Sequence, residues 1–304
     1  MLMFSFAGFV MVLSWLCGSW LVAVFYSLLA LVMFLGISRI VCETGVPFIH
    51  THWDPGWLLV RLFGPAAIGP TPLVFSLHSA AVLSHDPRES LMPYIATGAK
   101  VAEENGVRLR RLYWIVLGAV LLSIAIAFVA TTYAYYNYNC NPVSNNFAVT
   151  WPPQSYFDAA ARYFADMKAS GVYDDSAAAS TLGRLRFIDA KAQDIKFFVA
   201  GLAGVLLLSS IRFRFSKFPI HPVIFMVAGT YSCYCIWGSF LLGWFIKSLV
   251  VRFGGGGVYQ RLKPLFIGLI AAELFMVGAM VALDFAYKFI FGTPPPAAVS
   301  ILPV

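Results

Sequence analysis

Residues 43–78 read ETGVPFIHTHWDPGWLLVRLFGPAAIGPTPLVFSLH, and the reading of this stretch decides the fold. It lies between strongly apolar segments yet carries Glu43, His50, His52, Asp54, Arg61 and His78. Its prolines, Pro47, Pro55, Pro65, Pro70 and Pro72, exclude one straight helix, because each removes a backbone donor and crowds the preceding turn. Asp54-Pro55 is a helix start, with the aspartate as cap and proline at the first helical position, and the helix runs to about Phe63. Gly64-Pro65 ends it. Residues 70–84 can form another helix of about 22 Å, too short to cross a bilayer comfortably. Two short helices about a Gly/Pro turn predict a re-entrant hairpin over about residues 44–84, entering and leaving on the cytoplasmic side. Broken backbone at membrane depth is tolerated only where it is buried in protein or lines a wet cavity. The hairpin is therefore the first place to look for a site.

Composition sets the surroundings. Apolar residues make up 60% of the 304 and charged residues 12%, and mean hydropathy is +0.78; a water-soluble domain of this size could not cover that much apolar surface. The chain reads as a polytopic membrane protein. Its formal charge of +7 comes from short basic runs beside apolar spans, the pattern of orientation determinants, and no nucleic-acid partner is expected. The cysteines at 17, 42, 140, 233 and 235 form no disulfide framework, and Cys233-x-Cys235 lacks the second pair of a structural zinc site. No Lys or Arg precedes Arg39, so the basic region that opens a signal peptide is missing. Either the chain starts in a membrane helix or it continues a longer protein.

Working outward from the hairpin, residues 2–17 and 20–39 form two spans broken at Gly18-Ser19, with Arg39 marking a cytoplasmic end. Residues 85–111 combine Arg88, Lys100, Arg108, Arg110 and Arg111 with apolar Tyr94, Ile95, Ala99, Val101 and Ala102, the signature of an amphipathic interfacial helix. A third span over 112–135 ends in a tyrosine belt. Residues 137–194 form a small extramembrane helical cap. Ser155 and Asp158 suggest a capping box, Tyr156, Ala160, Tyr163 and Met167 share one face up to Gly171, and a second helix starts near Ser176. The mixed charges of this segment read as a solvated face. Residues 197–211 return to the membrane and end in the basic run RFRFSK (212–217). A bend near Ser232 is expected within 221–251, Gly254–Gly257 reads as a flexible turn, and the last span covers 265–289. The expected fold is thus all-α, a polytopic transmembrane helix bundle with broken and re-entrant helices and a helical cap. It divides into regions 1–136, 137–194 and 195–304, set in the cytoplasmic (inner) membrane.

Several polar residues are candidates for function. His50-x-His52-x-Asp54 places three potential metal ligands on one face of an extended backbone, with Glu43 as a possible fourth. A divalent ion here is the one cofactor the sequence suggests, and the same pattern also serves as a polar turn capping the helix. Glu43 can pair with Arg39 or bind a coupling proton. Arg61 and His78 are candidates for a substrate or ion pathway, although a lone histidine on an apolar helix also finds backbone partners. Glu273 and Asp284, eleven residues apart, return to the same helix face. Asp284 can pair with Lys288, whereas Glu273 has no cation within a turn, and an unpaired carboxylate at depth costs at least ~2.5 kcal/mol on insertion scales. Lys247 is either its counter-ion or a snorkelling helix-end residue.

Three stretches carry a resemblance: SRIVCETGVPF (38–48), RFSKFPIHPV (214–223) and FLLGWFIKSLVVRFGGGGVYQRLKPLFIGLIAAEL (240–274). They look like the C-terminal half of an uncharacterised family of prokaryotic polytopic membrane proteins. That family is distantly similar to the oligopeptide and metal-chelate (yellow-stripe-like) transporters. The resemblance implies a transporter-like fold, a lipid bilayer, and an N-terminal membrane half or homo-oligomeric partner. The expected function is a transporter or half of one, for peptides or metal chelates. A structural subunit of a membrane complex is the alternative, and an intramembrane metal-dependent enzyme is a further one. The sequence has no H-E-x-x-H and no nucleophile motif.

Overall fold

The fold is described from a computed structural model, in residues 2–44, 51, 53–84, 90–138, 151–215, 218 and 220–292. His50 and His52 lie outside these residues, so the metal cluster expected there is represented by Asp54 alone. All regular structure among the described residues is helical. Four helices, Trp20–Glu43, Arg110–Tyr133, Ala192–Arg214 and Trp237–Phe291, are long and apolar enough to cross a membrane. This is a membrane protein. The chain forms two compact units, Met1–Thr230 and Tyr231–Val304.

In the first unit, α1 (Leu2–Cys17) and α2 (Trp20–Thr44) are joined where the sequence breaks, with Gly18 at φ 65°. A stripe along α2, from Ser19 through Ala23, Tyr26, Ala30 and Met33 to Ile37, is buried. Its spacing of three and four residues is that of one helix face, and the small residues let neighbours approach closely. The stretch read as a hairpin forms three short helices that pack against this stripe. It consists of α3 (Pro55–Phe63), the one-turn α4 (Pro65–Ile68) and α5 (Pro70–Leu83). Leu59, Ile68, Leu73 and Leu77 join Ala23, Tyr26 and Ala30 in one core. Gly56 is required where the two arms meet, since a Cβ there would stand 2.7 Å from the Ser76 carbonyl oxygen.

The amphipathic α6 (Leu91–Glu104) packs on α2. It buries Pro93 and Ala102 but leaves Tyr94, Ile95 and Val101 exposed, an apolar face free to meet lipid. The helix α7 (Leu109–Tyr138), second of the four long enough to cross a membrane, starts after Gly106. α8 (Trp151–Ala169) starts four residues before Ser155, so the Ser155/Asp158 capping box is not the start. Pro152 and Pro153 fall in the first turn, where a missing amide donor costs little. The expected face holds: Tyr156, Ala160 and Met167 are buried and Tyr163 half-buried. The chain continues through α9 (Tyr173–Ala178), which includes Ser176 rather than starting there, and a 3₁₀ turn (Gly183–Phe187). α10 (Ala192–Arg214) and the one-turn α11 (Ile224–Val227) complete the unit.

In the second unit α12 (Tyr231–Leu249) contains Ser232 in its first turn, so the chain is helical at Ser232 itself. A short π-helical segment (Val250–Gly254) leads into the 37-residue α13 (Gly255–Phe291). The glycine run is thus not a loop. Gly255, at φ 70°, is the joint, a backbone state that glycine adopts without a Cβ penalty, and Gly256 and Gly257 are already helical.

Candidate functional site

Everything polar that converges on the hairpin starts from Asp54. Its backbone is extended, and its Oδ1 accepts the Trp57 amide at 2.9 Å, which caps α3 as the sequence implies. Its Oδ2 accepts the Tyr156 hydroxyl at 2.9 Å, a contact 102 residues away in sequence. Both carboxyl oxygens are therefore engaged within the fold. Burial holds the Asp54 carboxyl above its usual range, against the opposing pull of the Trp57 amide, the Tyr156 hydroxyl and Arg61. Burial likewise raises the Tyr156 phenol, and the neighbouring Asp54 charge adds to it. Trp57 packs between two tyrosines of α8, with ring centres 6.2 Å from Tyr156 and 6.2 Å from Tyr163.

At its other end the hairpin tip is held by residues between α8 and α10. The Ser176 hydroxyl donates to the Ala66 carbonyl at 2.7 Å, and the Asp189 amide donates to the Phe63 carbonyl at 3.2 Å. Arg184 donates through Nε to the Ser176 carbonyl at 3.0 Å. Its guanidinium lies against Gly69, which has φ 90° and where a Cβ would come within 2.7 Å of it. Partial burial depresses the Arg184 pKa, though the group stays cationic. These bonds meet carbonyls that the short helices of the tip cannot satisfy internally.

Beside this clasp lies a cleft of about 450 Å³, bounded by α3, Tyr163 of α8, and the residues leading into α10. Its charged lining is Arg61, Asp189, Lys191 and Asp194, with Tyr163, Gln193 and Phe197 completing the wall. No ion pair joins Arg61, Asp189, Lys191 or Asp194 to another described residue. Tyr163 is raised chiefly by burial; Asp166 and Asp194 raise it further, while Arg61 opposes. The cavity is open and its lining carries charges of both signs.

Of the residues expected from sequence, Asp54 and Arg61 are brought to this region by α3. Glu43 is not; its carboxylate pairs with Arg39 at 2.8 Å on the exposed end of α2. His78 is exposed and stacks on Phe157, ring centres 5.5 Å apart. In the second unit, Glu273 is exposed on α13 and Asp284 is half-buried on the same unbroken helix. Lys247 is not the counter-ion of Glu273; its ammonium lies over the Tyr259 ring, 5.6 Å from the centre. Among the described residues no group of three His, Cys, Asp or Glu side chains is placed to hold a metal.

A family model described as a family of unknown function, DUF6785, matches residues 1–294. The chain belongs to that family. No curated protein and no solved structure matches it. No similarity of this DUF6785 member to the oligopeptide and metal-chelate transporters is shown. Tyr156, Tyr163, Ser176, Arg184, Asp189, Lys191 and Asp194 were not legible as site residues. The helical stripe of Tyr156, Ala160, Tyr163 and Met167 signals a buried face but not what covers it.

Proposed function

We propose that this DUF6785 protein is a membrane transporter, or one half of one, and that the charged cleft at the hairpin receives a small polar solute. The observation that carries the reading is the cleft lined by Arg61, Lys191, Asp189 and Asp194 beside a hairpin of broken helices. Broken helices are the parts from which solute sites in transporters are built. Cations and carboxylates together match the two termini of a peptide better than a uniformly anionic chelate, so a short peptide is the preferred solute. The exposed apolar surfaces of α7 and α10 favour a second reading, a subunit whose bare helices are covered within a larger membrane complex.

The test uses the full chain in detergent and in vesicles, with dialanine as the probe. Dialanine is expected to raise the thermal unfolding temperature and to accumulate in the vesicles. Arg61→Gln and Asp194→Asn should each weaken binding roughly tenfold, the worth of one charge-assisted hydrogen bond. Binding and uptake unchanged in both variants would remove the cleft from the function. Absence of both binding and uptake in the parent protein would leave the subunit reading.

A further inference from the structure

The joint between α12 and α13 gathers cations that form no ion pair among the described residues. Between Asp194 and Glu273 the sequence contains no acidic residue but holds Lys196, Arg212, Arg214, Lys217, Lys247, Arg252, Arg261 and Lys263. Lys247, Arg252, Arg261 and Lys263 fall in the band where α12 passes through the π-helical segment into α13. On either side the chain is apolar: residues 231–246 and 264–272 contain no charged side chain. A basic band between two apolar helical stretches is where a chain meets the charged surface of a bilayer.

The joint does more than place charges in sequence proximity. Lys247 from α12 and Lys263 from α13 stand over the same ring, Tyr259, at 5.6 and 5.4 Å from its centre. Arg252 lies 5.9 Å from the Phe253 ring. All three cations are exposed, and none is ion-paired among the described residues. Cation–π contact offsets part of the repulsion between two ammoniums on one ring, but it leaves their net charge intact. A phosphate would neutralise it. Tyr259, half-buried as a residue, adds a hydroxyl donor, and the neighbouring apolar helix surfaces, with Phe245 and Phe266 exposed, suit acyl chains.

We propose that Lys247, Lys263 and Tyr259, with Arg252, form a binding site for the headgroup phosphate of an anionic phospholipid. The ligand is the lipid rather than free phosphate, because the cations are flanked by exposed apolar surface on both helices. This site is independent of the solute cleft.

The experiment is native mass spectrometry of the full chain in detergent, titrated with phosphatidylglycerol or phosphatidylcholine, with inorganic pyrophosphate as the soluble competitor. Phosphatidylglycerol is expected to remain bound preferentially. Lys247→Gln combined with Lys263→Gln should weaken it about 30-fold, roughly fivefold for each basic residue at a membrane surface. The double Arg variant at the same positions retains charge and should keep binding, which separates loss of the site from loss of the fold. Lys168→Gln, which removes a lysine lying over the Tyr173 ring in the first unit, should have no effect. Equal retention of both lipids, or unchanged phosphatidylglycerol binding in the Gln variant, overturns the proposal. Pyrophosphate binding as tight as that of the lipid overturns the choice of a lipid over a soluble phosphate.

Discussion

Two helices of the first unit, α2 and α7, are comparably apolar and both are long enough to cross a membrane, yet they are used differently. In α2, 44% of the apolar window is buried, and in α7 none is. The hairpin packs against α2, and α8 closes over the hairpin from the other side. The α7 surface, by contrast, exposes Leu121, Leu122, Ile124 and Phe128. Hydropathy reports that both helices leave water. It does not report whether they are received by protein or by lipid, since a lipid tail and a leucine side chain are equally apolar.

The sharpest way to break that comparison is to truncate a leucine in each setting. Leu73→Ala, at a position with no exposed surface, should cost about 2–5 kcal/mol through lost contacts and the cavity left behind. Leu122→Ala, 62% exposed, should leave thermal unfolding in detergent nearly unchanged. An equal loss in both would mean that α7 is covered by another copy of the chain or a partner.

Asp54→Ala tests whether α8 belongs to the hairpin core. It removes the α3 cap and leaves the Tyr156 hydroxyl without its acceptor, with an expected cost of roughly 2–4 kcal/mol. Asp54→Asn keeps the cap and isolates the charge. Because burial raises this carboxyl above its ordinary value of 3.8, the folded state holds its proton more tightly than the unfolded state. Stability should therefore fall as pH rises from about 3.8 to the folded-state pKa and then level off. The groups facing Asp54 are Tyr156 of α8, Tyr26 of α2 and Arg61 of its own helix. Chemical denaturation across that range should show the slope in the parent and a smaller one in Asp54→Asn.

The clasp at the hairpin tip is expected to be weaker. Gly69→Ala forces a side chain into the Arg184 guanidinium at a positive φ, and should cost about 1–3 kcal/mol. Ser176→Ala removes one hydrogen bond, about 1 kcal/mol. Limited proteolysis within residues 170–191 should accelerate in both, and more in Gly69→Ala. Smallest of all is Glu43→Gln. Its partner Arg39 is 79% exposed, and an ion pair in that setting is worth under about 0.5 kcal/mol. A larger loss on thermal unfolding would show that this end of α2 is covered.

What the sequence by itself determined is local chemistry. The Asp54-Pro55 start, the Gly/Pro breaks at 64–65 and 69–70, the division at Gly18 and the helical stripe ending at Met167 all follow from backbone restrictions and a 3.6-residue period. Neither requires knowledge of distant residues. Its errors have the same origin. The capping box at Ser155 was overridden by two prolines at a helix start, and the glycine run at 254–257 was carried into helix by its neighbours, because propensity is weak beside the continuity of a long helix. Only the tertiary structure decided that Tyr156 meets Asp54, that Arg184 lies on Gly69, and that Lys247 and Lys263 share one ring. The first of these joins residues 102 positions apart. Most charges of residues 151–191 are exposed, as the sequence implies, but that Arg184 faces the hairpin tip was not legible, because a charged residue looks the same in sequence whether water or protein faces it. Apolar pattern fixes that a face is buried, while its partner is fixed by which surfaces are complementary in three dimensions.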